Sequence, residues 1–125
     1  MNRTSILAAL MLAGCATVSP QPAGPTVAFG QTATVGGARV TPIQVVEDSR
    51  CPSRVQCVWA GRLILLALVE YRGGSEEYRG NLTLGEPLSL GAERVTLSAA
   101  EPGPLAGGGT DPRAYRFTFA YSREN

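Results

Sequence analysis

The side chains that could do chemistry gather in one segment, Glu47-Asp48-Ser49-Arg50-Cys51-Pro52-Ser53-Arg54-Val55-Gln56-Cys57-Val58-Trp59-Ala60-Gly61. It holds adjacent carboxylates, two of the chain's three cysteines and its one tryptophan. A carboxylate pair is the tool of glycoside hydrolysis. Neighbours along an extended chain point to opposite faces, however, so Glu47 and Asp48 are not expected to converge. Glu76-Glu77 fails for the same reason and reads as a solvated hairpin. Cys51 and Cys57 could be free buried thiols, metal ligands or a bridged pair. A metal would need two more suitable ligands in a chain without histidine. Between the cysteines, Pro52 to Gln56 would form a displayed loop. It would be cheap to immobilise on a partner and would carry Arg54 as a directional cation. One specific form of that reading is a protease inhibitor presenting Arg54 to a trypsin-like pocket.

The missing residue types matter as much. Acid–base catalysis near neutral pH most often uses histidine, and a Schiff base needs lysine; the chain has neither. Gly107-Gly108-Gly109 lacks both the lysine and the strand–loop–helix setting of a phosphate loop. The expectation is a protein that is not an enzyme and uses no cofactor or metal. A hydrolase working with carboxylates alone is the residual catalytic alternative. The 125 residues allow a single domain.

The first 14 residues differ in kind from the rest. A short polar start bearing Arg3 leads into an apolar run from Ile6 to Ala13. That run is well short of the roughly 20 residues a membrane-spanning helix needs, so it fits the core of a signal peptide. It ends in Leu12-Ala13-Gly14-Cys15, which resembles the lipobox of bacterial lipoproteins. The resemblance implies that residues 1–14 are removed and that Cys15 receives a diacylglycerol and, on its new amine, a fatty acyl group such as palmitate. Two or three acyl chains suffice for stable membrane anchoring. Ala16, rather than aspartate, follows the cysteine. In that family this implies the outer membrane, facing the periplasm, where the organism has two membranes. Removing Arg3 leaves ten arginines against ten acidic residues, a neutral balance that argues against nucleic acid as a partner. With Cys15 lipidated outside the cytosol, Cys51 and Cys57 form an even set expected to be a disulfide.

The motif itself, Asp48-Ser49-Arg50-Cys51-Pro52 leading to Cys57-Val58-Trp59-Ala60-Gly61, resembles one in a family of small, uncharacterised bacterial lipoproteins and secreted proteins. The likeness covers most of residues 30–121 and supplies fold context but no chemistry. Two readings of the segment follow. In the structural one, Asp48 or Ser49 caps backbone donors, Arg50 pairs with Asp48 or Glu47, and Trp59 packs over the bridge. In the functional one, Arg50, Pro52, Ser53, Arg54 and Trp59 form a binding loop.

The elements that must position this segment read as β. Residues 15–25, with Pro20, Pro22 and Pro25, form an extended tether of roughly 30 Å. Residues 26–125 form the domain. Thr32 to Val35 and Arg39 to Val46 flank Gly36-Gly37, a hairpin signal, with Pro42 marking an edge or bulge. Val58 to Tyr71 is the longest apolar run and is expected to be a central strand covered on both faces. Glu76 to Leu84, Leu88 to Leu90, and Glu93 to Ala99 with Val95, Leu97 and Ala99 inward, follow. The last strand alternates cleanly, with Tyr115, Phe117, Phe119 and Tyr121 on one face. The expected fold is all-β, a small antiparallel β-sandwich or barrel of about six to eight strands. The expected role is a non-catalytic envelope module binding a protein or glycan. The alternative is a small-ligand, lipid-like carrier whose aromatic face lines a cavity.

Overall fold

The computed structural model describes Gly14 and residues 24–52, 54–104 and 110–124. Cys15, Ser53, most of the tether and Gly107-Gly108-Gly109 lie outside the described residues. Eight strands form the domain: β1 (Thr26–Val27), β2 (Ala33–Val35), β3 (Ala38–Asp48), β4 (Leu63–Tyr71), β5 (Glu76–Thr83), β6 (Pro87–Leu90), β7 (Glu93–Glu101) and β8 (Arg116–Arg123). They make two four-stranded antiparallel sheets, ordered β1-β8-β7-β6 and β2-β3-β4-β5, packed as a sandwich.

Period-two alternation places the core between the sheets. Val40, Leu63, Leu65, Ala67 and Val69 from one sheet meet Val95, Leu97, Phe117 and Phe119 from the other, all essentially buried. Each buried aliphatic side chain contributes about 1.5–3 kcal/mol of transfer free energy, which is how so short a chain supports a fold. The β2–β3 hairpin turns at Gly36-Gly37 as the sequence suggests, with Gly36 in the left-handed region (φ 54°). A Cβ at Gly36 would enter the ring of Tyr121, so only glycine lets the hairpin lie on that ring.

Three sequence expectations are corrected. The apolar run becomes strand only from Leu63, because residues 58–62 belong to the β3–β4 connection. β4 is an inner strand of its sheet, yet only one of its faces is fully buried; Ile64, Leu66 and Leu68 on the other face are half-buried. In β7 the residue facing the core is Ala100 and not Ala99, because a bulge between Leu97 and Ala99 shifts the alternation by one. Pro42 lies at the start of a register shift between Pro42 and Gln44, the bulge its missing N–H favours, within a strand paired to β4.

A carboxylate and a tyrosine meet at each end of the sandwich, within one sheet at the first end and between the two sheets at the second. At one end Glu93, the single buried charged residue among those described, accepts a 2.8 Å hydrogen bond from the Tyr121 hydroxyl. At the other, Asp48 at the end of β3 accepts a 2.7 Å bond from Tyr115, the residue just before β8, and so ties one sheet to the other. From this second end the β3–β4 connection projects.

Candidate functional site

The projecting connection is a short arm that continues the β3–β4 ladder past the strand ends. Ser49 N–H donates to the Arg62 carbonyl at 2.8 Å, and Cys51 N–H to the Ala60 carbonyl at 3.2 Å. The Ser49 hydroxyl completes the rung, accepting from the Arg62 N–H at 3.0 Å. Gly61 sits opposite in the left-handed region (φ 69°), where a Cβ would collide with the Ser49 carbonyl; the arm therefore requires glycine at that position. Cys51 and Cys57 are joined by a disulfide with Cα atoms 6.0 Å apart, closing the tip covalently.

Arg50 anchors the base of the arm. Its Nε and one terminal nitrogen grip both oxygens of Asp48 at 2.8 and 2.9 Å, a bidentate pair. The remaining donors reach the Ala100 carbonyl of β7 in the opposite sheet at 3.1 Å and the Pro102 carbonyl just past that strand at 3.0 Å. Both side chains of the pair are largely removed from solvent, at 13% and 15% exposure. The sequence left Arg50 a choice between Asp48 and Glu47, and geometry decides for Asp48. Glu47 faces outward and pairs instead with Arg62 at 2.7 Å. The two adjacent carboxylates thus diverge, as alternation along a strand requires.

This clamp sets local acidity. The Arg50 guanidinium, hydrogen-bonded to Asp48, holds its carboxyl below the usual aspartate range, against an opposing effect of burial and with help from the Tyr115 hydroxyl. Burial, with the bond to Asp48, pushes the Tyr115 hydroxyl above the usual tyrosine range. A depressed carboxyl stabilises the fold above its unfolded value of about 4 and loses that contribution as pH falls through the lower folded value. A raised tyrosine stabilises below about 10 and loses its contribution as pH rises through the folded value. Urea midpoints should therefore fall at both extremes. Asp48→Asn should flatten the acid limb and Tyr115→Phe the alkaline one; unchanged limbs in both variants would show that the clamp does not titrate with unfolding.

At the tip the apolar side chains stand free. Val58 is 88% exposed, Trp59 82% and Val55 44%. Of the four large hydrophobic residues exposed among those described, these are three; the fourth, Val46, lies on β3. The expectation that Trp59 packs over the disulfide is overturned. The paired arm carries Ala60 and Gly61 beyond the strand ends, where both are exposed, and leaves the Trp59 side chain facing water. Arg54 is exposed with φ 66°, third in a turn closed by a 3.3 Å bond from the Val55 N–H to the Pro52 carbonyl. That conformation differs from the extended one a strand-like protease contact uses. Pro52 is half-buried at the base of the turn.

Among the described residues no three of His, Cys, Asp or Glu gather as a metal would require. The aromatic face expected to line a ligand cavity is packed in the core, against Phe29 and between its own rings. Phe29 lies 5.9 Å from Tyr115 and 5.2 Å from Phe117, and Tyr115 stacks on Phe117 at 5.6 Å, ring centre to ring centre. Phe29 was missed by sequence reasoning because it falls in the turn after β1, outside any periodic run. Comparison with protein families, with curated proteins and with solved structures found no match.

The disulfide gives a separate prediction. By loop entropy a ring of this size is worth about 2.4 kcal/mol. Cys51→Ser/Cys57→Ser should lose about that much by urea denaturation while keeping the sandwich signature in far-UV circular dichroism, since the clamp lies outside the ring. A complete loss of fold would instead make the bridge essential.

Proposed function

We propose that this chain is a non-catalytic binding module of the bacterial cell envelope, exported, anchored by lipid on Cys15, and making contact with another envelope component through the tip of the β3–β4 arm. Where the organism has two membranes, the anchor lies in the outer one and the domain faces the periplasm. The observation that carries the reading is the exposure of Val58 and Trp59, 88% and 82%, on a tip that is covalently closed and clamped at its base. Large apolar side chains held rigidly in water cost solubility and contribute nothing to the core. Their usual role is at an interface, where a pre-ordered tryptophan gives area at low entropic cost.

The test uses a photoreactive amino acid at position 58 in the full chain, expressed in its own host. A discrete adduct should form there and not at the exposed control position Glu77 on β5. Identical patterns at the two positions would remove the tip from any role in binding.

A further inference from the structure

Resting on that reading, we infer that the component met by the tip is an anionic lipid interface, so that the domain touches the membrane at a second place besides its acyl chains. Three features converge. Val55, Val58 and Trp59 project from a hairpin end. A protein partner would need a matching socket for such a knob, whereas a lipid interface deforms around it. Tryptophan is the side chain best suited to the headgroup boundary, with an apolar body and an N–H left to bond there. Residues 49–62 carry Arg50, Arg54 and Arg62 and no carboxylate. Asp48 and Glu47 at the base neutralise Arg50 and Arg62, and none of the ion pairs among the described residues involves Arg54. The tip therefore presents one uncompensated guanidinium beside three apolar side chains, the pairing that suits a negatively charged leaflet.

Depth and reach both fit. Arg54 and the tip's backbone groups must stay hydrated, which confines insertion to the headgroup–acyl boundary. The chain enters β1 beside Thr118 and Phe119 of β8, so it approaches from the side away from the tip. A stretch of the length of residues 15–25 would reach roughly 30 Å if fully extended. A nine-residue strand such as β4 is also about 30 Å long. The tether is thus long enough to let the sandwich lie along the surface and return its tip to the leaflet that holds Cys15.

Trp59 is the chain's only tryptophan and reports its own position. The full lipidated chain is reconstituted into vesicles of phosphatidylglycerol and phosphatidylethanolamine, and in parallel into phosphatidylcholine alone. In the anionic vesicles Trp59 emission should shift to the blue. Lipids brominated high on the acyl chain should quench it, and aqueous acrylamide should quench it several-fold less than in the neutral ones. Val58→Asp and Arg54→Ala, both at exposed positions, should each reverse the shift without altering the fold. An unmoved, acrylamide-accessible Trp59 in both vesicles overturns the inference, as does equal insertion in both. A protein adduct at position 58 combined with no vesicle effect removes the lipid but keeps the tip as the contact surface.

Discussion

Asp48→Ala should be among the most damaging single substitutions in this domain, lowering stability by about 3 kcal/mol. Removing one partner of a largely buried pair strands the other, and such losses run to about 3–5 kcal/mol. The lower end is expected here because both side chains keep slight solvent access. Three contacts go together: the two charged bonds from Arg50 and the bond from Tyr115, which faces the carboxylate from the other sheet. Arg50→Ala should cost a comparable amount, because it also frees the Ala100 and Pro102 carbonyls. The double substitution should then cost much less than the sum, since the second change removes a charge already left without a partner. Against a typical total of about 5–15 kcal/mol, a 3 kcal/mol loss is large enough to appear as a drop of about 10–25 °C in Tm. A loss under about 1 kcal/mol would show that the clamp adds little to the apolar packing of the two sheets, and an additive double variant that Asp48 and Arg50 act independently.

Much of this architecture is legible in the residues, and the illegible parts have physical reasons. Alternation locates β8, and the Gly36-Gly37 turn between two β-rich runs locates the β2–β3 hairpin, because both signals are local to the chain. The rhythm misleads at Ala99, where one bulge inverts the facing of everything beyond it. A bulge depends on the partner strand, which no local pattern encodes. The Asp48–Arg50 pair was within reach, being two residues apart. Tyr115 was not, since it closes the clamp from 67 positions away and only the crossing of chains between sheets brings it there. Trp59 is the instructive failure. A lone tryptophan beside a disulfide in a small domain is more economically read as core. Its exposure goes with an arm that stays paired through Ser49–Arg62 and Cys51–Ala60 beyond the strand ends, with Gly61 in the left-handed region between those rungs. The glycine that ends the motif is visible in the sequence, but its partner across the arm is not.

Trp59→Ala should divide contact from stability more sharply than any other change. The side chain is 82% exposed, and substitutions at exposed positions typically alter stability by no more than about 0.5 kcal/mol. Urea and thermal midpoints should therefore stay at the parent values. Contact should suffer heavily. Buried on a partner surface, tryptophan is the residue type most often found to dominate an interface, at about 2–4 kcal/mol, or roughly 30- to 1000-fold in affinity. The contrast with Asp48→Ala is the useful part. One variant should lose stability and keep the tip's contact while it stays folded; the other should keep its stability and lose only what the tip touches. The comparison can be read before the contacted component is identified, by flotation with envelope fragments of a chain beginning at Ala16, which carries neither the apolar leader nor the lipidated cysteine and is left with the tip to hold it. Retained flotation in Trp59→Ala would mean that the exposed indole is incidental. A Tm that fell with it would mean that the indole rests on the domain in solution, and the arm would then be a strut of the sandwich with no surface to offer.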